Sequence, residues 1–115
     1  MNLFDSHSHY NDEKFDIDRE EMIKETLNSG VSNFIVAGYN IESSKKAIEI
    51  SKEYKELYAI VGISPNDLKN IKTQEDIIEN VFKIEEIASD DKVVAIGEIG
   101  LDYYWNKDNK EIQKL

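Results

Sequence analysis

Residues 31–61, VSNFIVAGYNIESSKKAIEISKEYKELYAIV, read as one complete βαβ unit, and that reading decides the fold class. Val31 to Ala37 is apolar apart from Ser32 and Asn33, and Gly38-Tyr39-Asn40 has the composition of a turn. Ser43 to Tyr54 then repeats apolar residues at helical spacing through Ala47, Ile48, Ile50 and Tyr54. Leu57-Tyr58-Ala59-Ile60-Val61 follows with almost no polar alternation, which predicts a strand buried on both faces. Strands joined through a crossing helix run parallel, because a tight hairpin can connect only antiparallel ones.

The same alternation extends in both directions. Toward the N-terminus, Leu3 to about Ser8 reads as a first strand and Tyr10 to Asp16 as a polar connection. Asp18 and Glu21 stand in capping-box spacing before a helix with Met22, Ile23, Thr26 and Leu27 on its apolar face. Asn28-Ser29-Gly30 ends that helix, glycine taking the left-handed conformation at low cost. Toward the C-terminus, Pro65 closes the third strand and opens a long loop. Thr73 with Asp76 starts a third helix, whose apolar residues are Ile77, Ile78, Val81, Phe82, Ile84, Ile87 and Ala88. Val93-Val94-Ala95-Ile96 is a fourth strand running into Gly97-Glu98-Ile99-Gly100, and Asn109 to Leu115 begins a further helix.

Four strands alternating with three complete helices define an α/β fold with a parallel sheet covered by helices. No Pro/Gly-rich linker or low-complexity tract divides residues 1–115, so they are expected to form a single domain. A complete (β/α)8 TIM barrel needs roughly 200 residues or more. Four units are then expected to be its first half, apparently truncated, with two open sheet edges that the intact barrel closes.

Composition narrows the function. The chain has no cysteine, which excludes disulfides and thiolate chemistry and fits a cytoplasmic protein. It shows neither a secretory leader nor an apolar run long enough to span a bilayer, so no membrane association is expected. A net charge of −10, from 24 acidic and 14 basic residues, argues against a basic groove for nucleic acid. Bound divalent cations weaken that argument, because they supply positive charge that the formal count omits.

The two histidines of the chain, His7 and His9, sit two residues apart at the end of the first strand. A period of two turns both imidazoles to one face, where a single divalent ion can accept both. In parallel α/β folds the C-terminal ends of strands carry the active site. Asp5 is better placed to orient a ligand or accept a backbone N–H than to bind the ion. Glu98, between Gly97 and Gly100 after the fourth strand, is positioned to complete the ligand set or bridge two ions. Ser64 and Asn66 beside Pro65 can hydrogen-bond phosphate, though Pro, Asn and Asp also occur in ordinary turns. Tyr103 could stack on a base or sugar, and loop packing explains it equally well. The runs Arg19-Glu20-Glu21 and Lys45-Lys46 read as solvated helix faces, and Asp16 or Asp18 as a helix cap.

Taken together, Phe4-Asp5-Ser6-His7-Ser8-His9, Val61-Gly62-Ile63-Ser64-Pro65-Asn66 and Ala95-Ile96-Gly97-Glu98-Ile99-Gly100-Leu101-Asp102-Tyr103 resemble the N-terminal half of the TatD family of metal-dependent deoxyribonucleases. The resemblance implies the metallo-dependent hydrolase type of (β/α)8 barrel and hydrolysis of DNA phosphodiesters, at single strands or 3′ ends. It implies one to three divalent ions (Mg2+, Mn2+ or Zn2+), with His7, His9 and Glu98 as ligands and Glu98 as a catalytic group. Other ligands and a catalytic aspartate of the family come from later strands, so residues 1–115 alone are expected to be inactive. Ser64 and Asn66 stand where the family commonly has histidines, which implies altered substrate handling. An amidohydrolase-like enzyme acting on another phosphoester or a cyclic amide is the alternative within hydrolases. A catalytically silent half-barrel that self-associates through its open edges is the alternative outside them.

Overall fold

The computed structural model describes residues 3–65, 73–97, 99 and 114. Its elements alternate as β1 (Leu3–Ser8), α1 (Arg19–Asn28), β2 (Val31–Ala37), α2 (Ile41–Lys52), β3 (Leu57–Val61), α3 (Gln74–Ala88) and β4 (Val93–Ile96), with a 3-10 turn at Glu13–Phe15. The four strands form one sheet in the order β1-β2-β3-β4, and every neighbouring pair is parallel. This is the arrangement of successive βα units around a barrel wall, with each strand laid beside its predecessor.

The core lies between the sheet and its helices. Phe34 and Val36 of β2 and Leu57, Ala59 and Val61 of β3 are fully buried, against Ile23 of α1, Ala47, Ile48 and Ile50 of α2, and Ile84 of α3. The third strand differs from expectation. Leu57, Ala59 and Val61 are buried while Tyr58 and Ile60 are only half-buried, so helices cover one face and the other stays partly open among the described residues. The third helix likewise buries Ile77 and Ile84 but leaves Ile78, Val81 and Phe82 exposed. Its apolar residues encircle more of the helix than the sheet can cover.

Local chemistry explains the helix ends. Helix α2 starts at Ile41, two residues before the expected Ser43, because Asn40 caps it: the Asn40 side chain accepts from the Ser43 N–H while the Ser43 hydroxyl accepts from the Asn40 N–H. That reciprocal pair satisfies two donors that a helix start would otherwise leave open. The helix ends at Lys52, so Tyr54 lies beyond it and packs on the core from the turn. The Thr73 hydroxyl accepts from the Asp76 N–H, as its spacing predicts. Asp18 makes no side-chain cap; its carbonyl accepts from the Met22 N–H. At the other end of α1, Gly30 has φ 112°, a conformation that favours glycine.

Gly38 fixes how closely α2 approaches the end of β2. A Cβ there would stand 2.2 Å from Ser44 Oγ and 2.5 Å from Ser44 Cα. Ser44 is fully buried in that contact, where its hydroxyl donates to the Gly62 carbonyl and accepts from the Gly62 N–H.

Candidate metal centre

The strand ends that face a barrel mouth are assembled by polar contacts. Asp5 Oδ1 accepts from the His7 backbone N–H at 3.0 Å, which ties the start of the motif to its own strand. The Ser8 hydroxyl donates to the Ile35 carbonyl at 2.7 Å, holding the residue between the histidines against β2. The imidazoles on either side are thereby presented together. His7 Nε2 and His9 Nε2 are 3.1 Å apart, with ring centroids 4.7 Å apart and planes at 81°.

That separation fits the donor chemistry of a chelating pair. Two imidazole nitrogens each about 2.05 Å from one ion, at the observed spacing of 3.1 Å, would subtend about 98°, between octahedral and tetrahedral values. The same nitrogens can also share a proton, one ring donating to the other. Among the described residues no three His, Cys, Asp or Glu side chains gather in a metal-holding cluster, so this pair is what those residues bring together.

The neighbouring loops converge on His9. Its ring meets Tyr39 edge-on with centroids 6.1 Å apart, and the Tyr39 carbonyl accepts from the Ser64 N–H at 2.8 Å. Ser64 is buried and thus joins the β3 end to the β2 end. Asn66, Glu98 and Tyr103 lie outside the described residues, as does the final helix expected from Asn109 apart from Lys114. The pairing of β4 with β3 can be followed to Gly97, whose N–H donates to the Val61 carbonyl at 2.8 Å.

Two charged runs are not simply solvated helix faces. Arg19 is not a solvated residue: its side chain is 18% exposed, and it donates through Nε to the Tyr10 carbonyl and through Nη2 to the Asp12 carbonyl and Asp16 carboxylate. Lys46 reaches the same carboxylate at 2.6 Å. Asp16 therefore joins α1 to α2 and caps neither. These two cations, Lys46 first and Arg19 second, hold its carboxyl below the usual 3.8. Tyr39 was legible only as a turn residue and Asn11 only as part of a polar connection, since nothing in their spacing announces a tertiary partner. Asn11 is buried and donates to the Ala37 carbonyl at 2.9 Å and the Ser43 carbonyl at 3.0 Å.

Fold and site together define an α/β protein of the barrel type, with a histidine pair at the C-terminal rim of its parallel sheet. Residues 4–115 match the family model of TatD-related DNases, and the chain belongs to that family. It is 41% identical over 112 residues to the uncharacterized metal-dependent hydrolase YabD of Bacillus subtilis, covering 97% of this chain and 42% of that protein. It is 35% identical over 104 residues to the 3′-5′ ssDNA/RNA exonuclease TatD of Cronobacter sakazakii, covering 90% of this chain and 38% of that protein. The crystal structure of YJJV, a TatD homologue from Escherichia coli, superposes with a TM-score of 0.77 at 28% identity, covering 97% of this chain and 42% of that one. The chain thus spans about two fifths of the length of these relatives. No helix among the described residues is long and apolar enough to cross a membrane.

Proposed function

We propose that residues 1–115 supply the first metal-binding strand of a TatD-type, divalent-metal-dependent hydrolase that cleaves phosphodiester bonds in DNA in the cytoplasm. The observation that carries the metal reading is the 3.1 Å spacing of the two Nε2 atoms. The nucleic-acid reading is supported by the family and by relatives named as ssDNA/RNA exonucleases. In this reading His7 and His9 hold one Mg2+, Mn2+ or Zn2+ ion, and Glu98 joins them as a ligand and catalytic group, within a site of one to three ions. A bound divalent ion lowers the pKa of water and offsets charge on a phosphoryl group.

The chain's own residues have separable tasks. The imidazoles present lone pairs to the ion, Asp5 holds the His7 backbone, and Tyr39 limits the tilt of the His9 ring. Ser64, Asn66 and Tyr103 are proposed to contact substrate, the first two by hydrogen bonds without added charge and the third by stacking.

Calorimetric titration of residues 1–115 with Zn2+ tests the metal reading. Binding is expected in the parent and loss of binding in His7→Ala and His9→Ala, with the folding stability of His7→Ala within about 0.5 kcal/mol of the parent because His7 is exposed. Equal Zn2+ affinity in all three proteins would remove the basis for the pair as ligands. Single-stranded DNA with Mg2+ or Mn2+ tests the substrate. Residues 1–115 alone are expected to show no turnover above background, and cleavage abolished by His7→Ala would overturn that part.

One observation favours a second property. Phe82 of α3 and Ile96 of β4 are 64% and 51% exposed, and β4 leaves one side of its backbone unpaired among the described strands. Residues 1–115 on their own are therefore expected to self-associate as concentration rises, which light scattering over a dilution series would show.

A further inference from the structure

The tripeptide that follows the histidine motif, Tyr10-Asn11-Asp12, is held from two sides. Arg19 at the start of α1 spans it, donating from Nε to the Tyr10 carbonyl and from Nη2 to the Asp12 carbonyl at 3.1 Å. From the opposite side Asn11 spends both donors of its amide on the ends of other elements, the Ala37 carbonyl at the end of β2 and the Ser43 carbonyl in the first turn of α2. The two carbonyl partners fix which end of the amide is nitrogen. Among the described residues no donor reaches Asn11 Oδ1, so the amide's contacts to these residues are its two N–H bonds. The Tyr10 hydroxyl adds a 2.6 Å bond to Thr26 of α1, and Asp12 N–H donates to the His9 carbonyl at 2.9 Å.

These contacts matter because β1 itself is loosely registered. Its pairing with β2 shifts between Leu3 and Phe4 and again between Asp5 and Ser8, and residues 3–7 are exposed. Ladder pairing alone does not determine where the His9 ring stands relative to the His7 ring. We propose that Arg19 and Asn11 are positioning residues, a two-sided clamp on residues 10–12 that sets the His9 ring at the spacing from His7 which one ion can bridge. The proposal rests on the metal reading above for its purpose, but not for its geometry.

Arginine suits this role because its planar fork can reach two carbonyls and a carboxylate at once, which an ammonium cannot. Arg19→Met and Arg19→Lys are therefore expected to behave alike, although lysine keeps the charge facing Asp16. Asn11→Ala removes the opposite half of the clamp and gives an independent variant should either Arg19 variant fold poorly. Ile84→Val, which trims the core on α3, a helix that packs on α2, β3 and β4, serves as a destabilised control.

Two readouts decide the matter on the 115-residue chain. The first is the nuclear Overhauser contact between the imidazole rings without added metal, which is simple to assign because the chain has two histidines. The second is Zn2+ affinity by calorimetry. The clamp predicts that Arg19→Met, Arg19→Lys and Asn11→Ala lose the ring contact and bind Zn2+ roughly 10–100-fold more weakly, the range for removing groups that orient metal ligands. Ile84→Val is expected to keep both. Folded Arg19 and Asn11 variants that retain the ring contact would overturn the clamp, as would Arg19→Lys matching the parent. If the parent shows the ring contact but binds no Zn2+, the metal reading fails and the clamp is judged on the ring contact alone.

Discussion

The β2–β3 pair and the β1 strand are built on different physics. Four consecutive residues of β2, Phe34 to Ala37, pair in unbroken register with Leu57 to Ile60, and their inward side chains are fully buried against α2. β1 has two register shifts, is exposed along residues 3–7, and is held at its site end by side chains that bond backbone carbonyls. Apolar burial is large and nondirectional, so it secures the sheet but tolerates small displacements. Hydrogen bonds contribute less each but demand particular distances and angles, which is what a two-point ligand requires. The molecule thus separates the part that makes it fold from the part that sets the histidine rings.

Breaking the first region should have the larger effect on stability. Phe34 is fully buried at the centre of the core, and Phe34→Ala removes its burial and leaves a cavity, an expected loss of about 3–5 kcal/mol. Urea denaturation measures this, and a loss below about 1 kcal/mol would mean that β2 does not anchor the sheet. Gly38→Ala comes next. The added methyl would stand 2.5 Å from the Ser44 Cα, so strand end and helix must separate, at an expected cost of about 1–3 kcal/mol. Because Ser44 also bonds Gly62, the same substitution should speed hydrogen exchange at the Gly62 amide. Unchanged exchange there would show that α2 moves without its partner loop.

This division also explains what could be read from the sequence. Regions governed by burial announced themselves: the bounds of β2, β3 and β4 and the buried Ala47, Ile48 and Ile50 follow from apolar spacing alone. Helix α2 was misplaced by two residues because Asn40 looked like a turn residue, and only its reciprocal bonds with Ser43 reveal it as a cap. Ile78, Val81 and Phe82 were legible as apolar residues of the third helix but not as exposed ones, because periodicity reports an apolar face without saying how wide a partner covers it. At the site, the HxH spacing placed His7 and His9 on one rim. Arg19, Asn11 and Lys46 were illegible, since each acts on a backbone carbonyl or a distant carboxylate that no short motif encodes. Tertiary polar tethers are invisible to pattern reading because any Asn or Arg in a loop looks the same until the chain closes around it.

Acid provides the finest probe of the contrast, because two carboxylates are shifted the same way in opposite regions. Asp16, beside the histidine loop, is held low by Lys46 and then Arg19. Asp90, in the turn before β4, is held low chiefly by Lys52 and then by the Lys92 backbone N–H. A carboxyl whose folded pKa lies below its unfolded value favours folding fully above the unfolded value, near 3.8, and loses that contribution as pH falls through the folded value. Both Asp16→Asn and Asp90→Asn should therefore flatten the acid limb of stability below about pH 5 and leave stability at pH 7 only slightly lower, since both pairs are partly exposed. Thermal melts from pH 7 to pH 2.5 measure that limb. The variants should part company at the histidines: Asp16→Asn loosens a partner of Arg19 and is expected to weaken the ring contact between His7 and His9, whereas Asp90→Asn leaves it intact. If both variants preserve that contact equally, the ion triad is only a surface brace, and the carbonyl bonds of Arg19 hold the loop without it.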